Sequence, residues 1–313
     1  MSRVPLDMSF VFGIQSYLKN TAQEKLFYQR RTPRMKPQLD DKSPLIPQIL
    51  KKDVLLSYPF ENIKSFINLL EESAKDESVV SIKMTLYRLA DKSQIVDALV
   101  EAAEVFAALL KGEVVEKSNL LLVAPKCLQN RVLDMIQEEI DQVKQGKEGY
   151  IGIKINSLTD KVIINKLVEA SQAGVKIEMV VRGICCLIPE IKGYTENIKV
   201  VSIVGRYLEH SRIYRFGTKE REKIYIASAD FMTRNTVRRV EVAAPVLDEK
   251  LKERLDWMFA TMMNDDEKGK RLTETGNYAD RNLNDVRLNS QEIFYAMAYS
   301  NAEKMQKKEK SEK

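Results

Sequence analysis

The chain has 313 residues, 44% of them apolar, with Lys+Arg 50 against Asp+Glu 45 and a net charge of +5. This length admits two ordinary domains with globular cores, and so small a basic excess gives no case for nucleic acid as a partner. Three cysteines, Cys127 and the adjacent Cys185 and Cys186, make neither a disulfide framework nor a zinc-site spacing. A reduced, cytoplasmic home is expected. The first twelve residues carry one Arg and a broken apolar run, unlike a signal peptide, and no apolar stretch reaches transmembrane length.

In chain order, residues 1–48 hold five prolines and the basic run 29–34, a connecting segment with one short helix expected around 15–24. Ile63, Phe66, Ile67, Leu69 and Leu70 give 60–75 a helical period. A strand is predicted over 79–87 and a helix over 94–104, passing without a turn into the apolar 105–110. A strand or loop at 120–123 precedes a helix over 128–145. A strand over 150–155, a helix over 161–173, the turn Ala173-Gly174 and a buried strand over 175–181 make a βαβ unit, and with it a parallel sheet. Strands are expected at 198–204, 213–216, 223–227 and 240–244, then a helix over 249–263. The end, 302–313, is rich in Lys and Glu without apolar periodicity and is expected as a solvated helix or disordered tail.

Two of these stretches share wording. Ile82-Lys83 matches Ile153-Lys154, and Ile95, Leu99, Val100, Glu101 and Ala102 match Ile163, Leu167, Val168, Glu169 and Ala170. One copy of this repeat is whole; the other breaks off near Glu104.

The chemistry concentrates between 181 and 241. Arg182, Arg206, Arg212, Arg215, Arg221, Arg234, Arg238 and Arg239 surround the chain's single histidine, His210. Any one arginine is most often a solvated surface residue, and a lone His is more often bland than catalytic. The guanidinium fork does match phosphate oxygens, and open parallel sheets bind ligands at their strand ends. The order His210-x-Arg212, a strand, Ser228 to Asn235 and then Glu241 resembles the phospholipase D superfamily pattern, in which imidazole attacks phosphorus and the cation holds its oxygens.

The wording of Val181-Arg182-Gly183-Ile184-Cys185-Cys186-Leu187, of 202–212 and of 228–235 closely resembles the carboxy-terminal catalytic region of bacterial polyphosphate kinases. Residues 52–61, 82–88 and 6–11 are similar to earlier parts of the same family, so the likeness spans about 5 to 295. The resemblance implies an α/β fold with phospholipase D-like α/β/α lobes: a linker or helical-head remnant at 1–48, a truncated first lobe at 49–117, a complete second lobe at 118–272 and a polar tail at 273–313. It implies a kinase that moves the terminal phosphate of ATP reversibly onto inorganic polyphosphate through a phosphohistidine, with Mg2+, and ATP/ADP and polyphosphate as partners. His210 matches the second of the family's two catalytic histidines, and Arg182 and Arg239 match phosphate-contacting arginines. Arg212 is counted with them as the cation two residues after His210. Arg88 matches a magnesium-associated position; because a guanidinium cannot ligate a cation, it is expected to clamp the phosphates that the metal bridges.

The sequence departs from the family between Glu104 and Val105, where the stretch carrying the nucleophilic histidine, an arginine and a tyrosine is absent, and before Leu6. Activity is therefore expected to be impaired. The alternative is an inactive ATP- or polyphosphate-binding remnant, or a partner of an intact kinase. A homo-oligomer would bring two copies of His210 together. Residues 49–117 are expected to be disordered or aggregation-prone, and 118–272 to fold regardless.

Overall fold

The computed structural model describes residues 9–21, 26–29, 31–34, 39–40, 43–76, 78–79, 82, 121–125, 127–283 and 285–311, with side chains described through 300 except that of 20. Arg88, the first copy of the repeat beyond Ile82 and the junction at Glu104 and Val105 lie outside the described residues. The chain falls into two compact units, Met1–Pro33 and Arg34–Lys313. In the first, helix α1 (Phe10–Asn20) starts earlier than the expected 15–24 and leaves Phe12 and Tyr17 exposed.

The second unit begins with α2 (Ile46–Ile49) and α3 (Lys64–Lys75), where Glu72 of α3 accepts from the backbone of Leu45 at 2.6 Å and Ile46 at 3.0 Å. This corrects the expectation of disorder for the part of 49–117 that is described. Phe60 is 2% exposed and packs edge-on against Tyr207 and Phe294, so the stretch is tied into the lobe's core.

Among the described residues a nine-stranded sheet follows, in the order β1-β7-β6-β5-β2-β3-β4-β8-β9. Its strands are β1 (Leu122–Ala124), β2 (Tyr150–Ile155), β3 (Lys176–Val181), β4 (Ile198–Ile203), β5 (Ile213–Phe216), β6 (Lys223–Ala227), β7 (Glu241–Pro245), β8 (Gly269–Leu272) and β9 (Tyr278–Ala279). The predicted βαβ unit is present: β2, β3 and β4 are mutually parallel, and the remaining pairings are antiparallel. Between β2 and β3 runs α5 (Lys161–Gln172), capped by Asp160, whose Oδ1 accepts from Val162 N at 3.0 Å and Ile163 N at 3.2 Å. It ends at Gly174, whose φ of +96° turns the chain back into the sheet.

Helices cover both faces. Helix α4 (Leu128–Lys144) buries Leu128, Val132, Met135, Ile136 and Ile140 with α5 against Ile153, Met179 and Val200. Each such side chain contributes roughly 1.5–3 kcal/mol of burial. On the other face α6 (Glu249–Met263) and α7 (Ser290–Ser311) pack Met258, Phe259, Phe294 and Ala298 against Val180, Val201, Ile213 and Ile224. Met179 and Val180 thus serve opposite faces, as strand alternation requires. The α/β/α layering expected of the second lobe is present.

The boundary at 272/273 does not hold. Strand β9 joins the sheet and α7 enters the core, so the polar-tail expectation fails for 273–300. Phe294 and Ala298, one helical turn apart, are buried here, with Ile293 and Tyr295 packed partly against the same core.

Candidate functional site

Because β2, β3 and β4 run parallel and β5, β6 and β7 alternate from there, one edge of the sheet gathers several connections. They are the ends of β2 and β3, the β4–β5 loop, the end of β6 and the start of β7. Arg182, 205–212, 228–230 and Arg239 therefore meet there, at the carboxyl ends of the parallel strands. Arg215 and Arg221 belong to the opposite edge. Arg215 pairs with Glu222 and Asp256, both at 2.5 Å, and Arg221 pairs with Glu139 at 2.8 Å.

The loop bearing His210 is held through three consecutive carbonyls. Arg182 Nη1 donates to Glu209 O at 2.6 Å, Arg212 Nη1 to His210 O at 2.7 Å and Lys154 Nζ to Ser211 O at 2.6 Å. Lys154 is only 2% exposed, and burial pushes its amine down to about 8. Arg212 lies against buried Asp230, with Nε 3.1 Å from Oδ1 and Nη2 3.0 Å from Oδ2. Asn156 joins them: its N–H donates to Asp230 Oδ1 at 2.7 Å, and its amide turns so that Oδ1 accepts from Arg212 and Nδ2 donates to Glu209 O.

Arg212 was expected to clamp phosphate; the structure commits its fork to Asp230 and to backbone. The carboxylate of Glu241, 4% exposed, accepts from Ser228 Oγ at 2.5 Å and Asn235 Nδ2 at 2.6 Å, shaping the turn beside the site. One π-helical turn, Arg234–Arg238, carries that turn toward β7.

His210 itself is exposed. Partial burial, then the charges of Arg182, Arg212 and Lys154, hold its pKa below the ordinary 6.5, with Asp230 opposing them. The shift favours the neutral imidazole, which keeps one ring nitrogen free of a proton. Arg182 makes no ion pair among the described residues, and neither do the exposed Arg234, Arg238 and Arg239. Beside the ring, a largely apolar cavity of about 390 Å³ opens between 55–59, Leu208, Ile226 and Met258.

No metal-binding group of three or more His, Cys, Asp or Glu is present among the described residues. Asp230 and Glu241 are spent on Arg212, Ser228 and Asn235, so these residues do not fit the implied magnesium as direct ligands. No described helix is long and apolar enough to cross a membrane. Sequence reasoning missed Lys154, Asn156 and Gln291 as supports of the site. A lysine inside the otherwise apolar strand Tyr150–Ile155 was the one available signal.

An exposed imidazole thus lies among fixed cations at the strand ends of an α/β/α lobe. Residues 121–291 match the family profile of the polyphosphate kinase C-terminal domain 2, and 44–109 that of its C-terminal domain 1. The chain belongs to the polyphosphate kinase family.

It is similar to the polyphosphate kinase of Staphylococcus haemolyticus, 32% identical over 399 residues, covering 97% of this chain and 55% of that protein. To that of Pseudomonas aeruginosa it is 33% identical, covering 89% and 55%. The crystal structure of the Porphyromonas gingivalis polyphosphate kinase superposes with a TM-score of 0.79 at 26% identity, covering 89% of this chain and 57% of that one. The chain thus spans about half the length of these relatives. An alignment of 399 residues is longer than the 313-residue chain, so the relatives carry a segment that this chain lacks.

Proposed function

We propose that this chain carries the second half of a polyphosphate kinase site. It grips the phosphate chain of ATP or of inorganic polyphosphate between His210, Arg182 and Arg239. The observation that carries this reading is the exposed imidazole of His210 at the carboxyl ends of the parallel strands, beside Arg182 and Arg239, which make no ion pair among the described residues. In the family reaction the terminal phosphate of ATP passes reversibly to polyphosphate through a phosphohistidine. By resemblance His210 would act beside that nucleophile on the phosphates of the nucleotide, while Arg182 and Arg239 hold their oxygens.

The apolar cavity beside the ring suits the nucleoside end of ATP. Magnesium would travel on the phosphates, since the described side chains offer it no cage. The segment the chain lacks includes, by resemblance, the nucleophilic histidine. Transfer by this chain alone is therefore proposed to be impaired by orders of magnitude, because such groups act as a unit. The chain would then work as a binding half, or beside an intact kinase, in the cytoplasm.

The test is calorimetric titration of tripolyphosphate and ATP at low salt, with Arg182→Ala and His210→Ala, together with acid-labile labelling from γ-labelled ATP. Binding that weakens about tenfold in Arg182→Ala, with little label, supports the reading. Absence of binding by the wild type at low ionic strength refutes it. Stoichiometric label on His210 would overturn the proposed impairment.

A further inference from the structure

We propose that Gln291 is a positioning residue for His210: its side-chain amide, presented by the first turn of α7, fixes the 205–210 loop in the form that presents the imidazole. The inference rests on the reading of His210 as the phosphate-handling group, and deepens it. Gln291 Oε1 accepts from Tyr207 N at 2.9 Å, while Nε2 donates to Tyr207 O at 2.9 Å and to Glu209 Oε1 at 2.7 Å. The amide engages both backbone groups of Tyr207, as a neighbouring strand would, and takes the Glu209 side chain as well. On the other side of the loop, Arg182 holds the carbonyl of that same Glu209. The loop is thus held from the helix and from the sheet at once.

The platform behind Gln291 is rigid. Ser290 donates from N at 2.8 Å and from Oγ at 2.7 Å to Oδ2 of the fully buried Asp265. The other oxygen of Asp265 accepts from Lys268 N at 2.8 Å and Gly269 N at 3.0 Å. One turn later Phe294, 3% exposed, locks α7 into the core. Gln291 is itself 2% exposed, so its amide has no water to turn to.

The approach also depends on Gly205, where a Cβ would lie 2.5 Å from Gln291 Oε1 and 2.9 Å from its Cδ. A side chain there forces the amide to shift. The chemistry explains the residue type. Only a primary amide on this stem both accepts from one N–H and donates to two oxygens. Glutamate would set a second carboxylate against Glu209, and methionine offers no donor. Without the amide the loop can relax away from Arg182, Arg212 and Lys154, the charges that help to hold the His210 pKa down.

The experiment uses the full chain and its one histidine, whose ring C–H signal is assigned by its loss in His210→Gln. In Gln291→Met, and independently in Gly205→Ala, the His210 titration midpoint should rise toward 6.5 and tripolyphosphate affinity should fall about tenfold. Wild-type titration and affinity in both variants would overturn the proposal, as would a loss of stability with the imidazole unmoved. If Gln291→Met does not fold, Gly205→Ala decides by the same two readouts. If wild type fails to bind tripolyphosphate, the phosphate reading fails, while the imidazole titration still decides the role of Gln291.

Discussion

Asp230→Asn removes the charge that the Arg212 fork binds. The two side chains are 5% and 6% exposed and touch at 3.0 Å. At an effective dielectric constant near 20, unit charges at that separation attract by about 5 kcal/mol. Much of that attraction offsets the desolvation of both groups, so the pair as a whole adds little. Removing one partner is different, because the buried guanidinium then loses the Asp230 carboxylate, at a cost of about 3–5 kcal/mol. Urea unfolding followed through Trp257, the chain's one tryptophan, reads this directly. Asp230→Asn should lose about 3 kcal/mol, and Arg212→Met with Asp230→Asn should lose clearly less than the sum of the single changes. A loss below about 1 kcal/mol, or strict additivity, would refute the account of the site as built on this pair.

Three further predictions concern charge. The folded pKa of His210 lies below 6.5, so its stabilising contribution is present above that value and is lost as pH falls through the folded pKa. Wild type should therefore lose ground to His210→Gln on acidification in urea titrations, and an NMR midpoint above 6.5 would contradict this. Lys154, depressed from 10.5 to about 8, carries a burial cost of roughly 3 kcal/mol below pH 8 that vanishes as pH rises toward 10.5. The stability of wild type relative to Lys154→Met should rise across that window, and a falling difference would sink the assignment. Arg239→Ala should change the urea midpoint by less than about 0.5 kcal/mol equivalent yet weaken tripolyphosphate binding about tenfold, with a shallower salt dependence. Unchanged affinity would remove Arg239 from the site.

The βαβ unit was legible because Ile151, Ile153 and Ile155, the 163/167/170 helical stripe and Gly174 each state one structure locally. Strands β8 and β9 were not: Gly-Lys-Arg-Leu and Tyr-Ala are too short and polar to show a period, and they form only because β4 offers an edge. His210 and Arg182 could be placed together from strand order alone. Arg215 could not be separated from them, because sequence nearness hides that β5 carries the chain from the site toward the opposite ends of the strands. The role of Arg212 turned on Asp230, a carboxylate inside a turn motif whose burial no linear pattern reveals. Gln291 was hidden for a plainer reason: it reaches the loop from a helix that follows two further strands.

The three carbonyl contacts along 209–211 bear on affinity as well as on geometry. A segment already frozen before any anion arrives has little rotational freedom left to surrender, so nearly all of the attraction between guanidinium and phosphate can appear as binding. Such a site should change shape very little between empty and filled, and should tell ligands apart by charge spacing more than by how well they mould the protein around them.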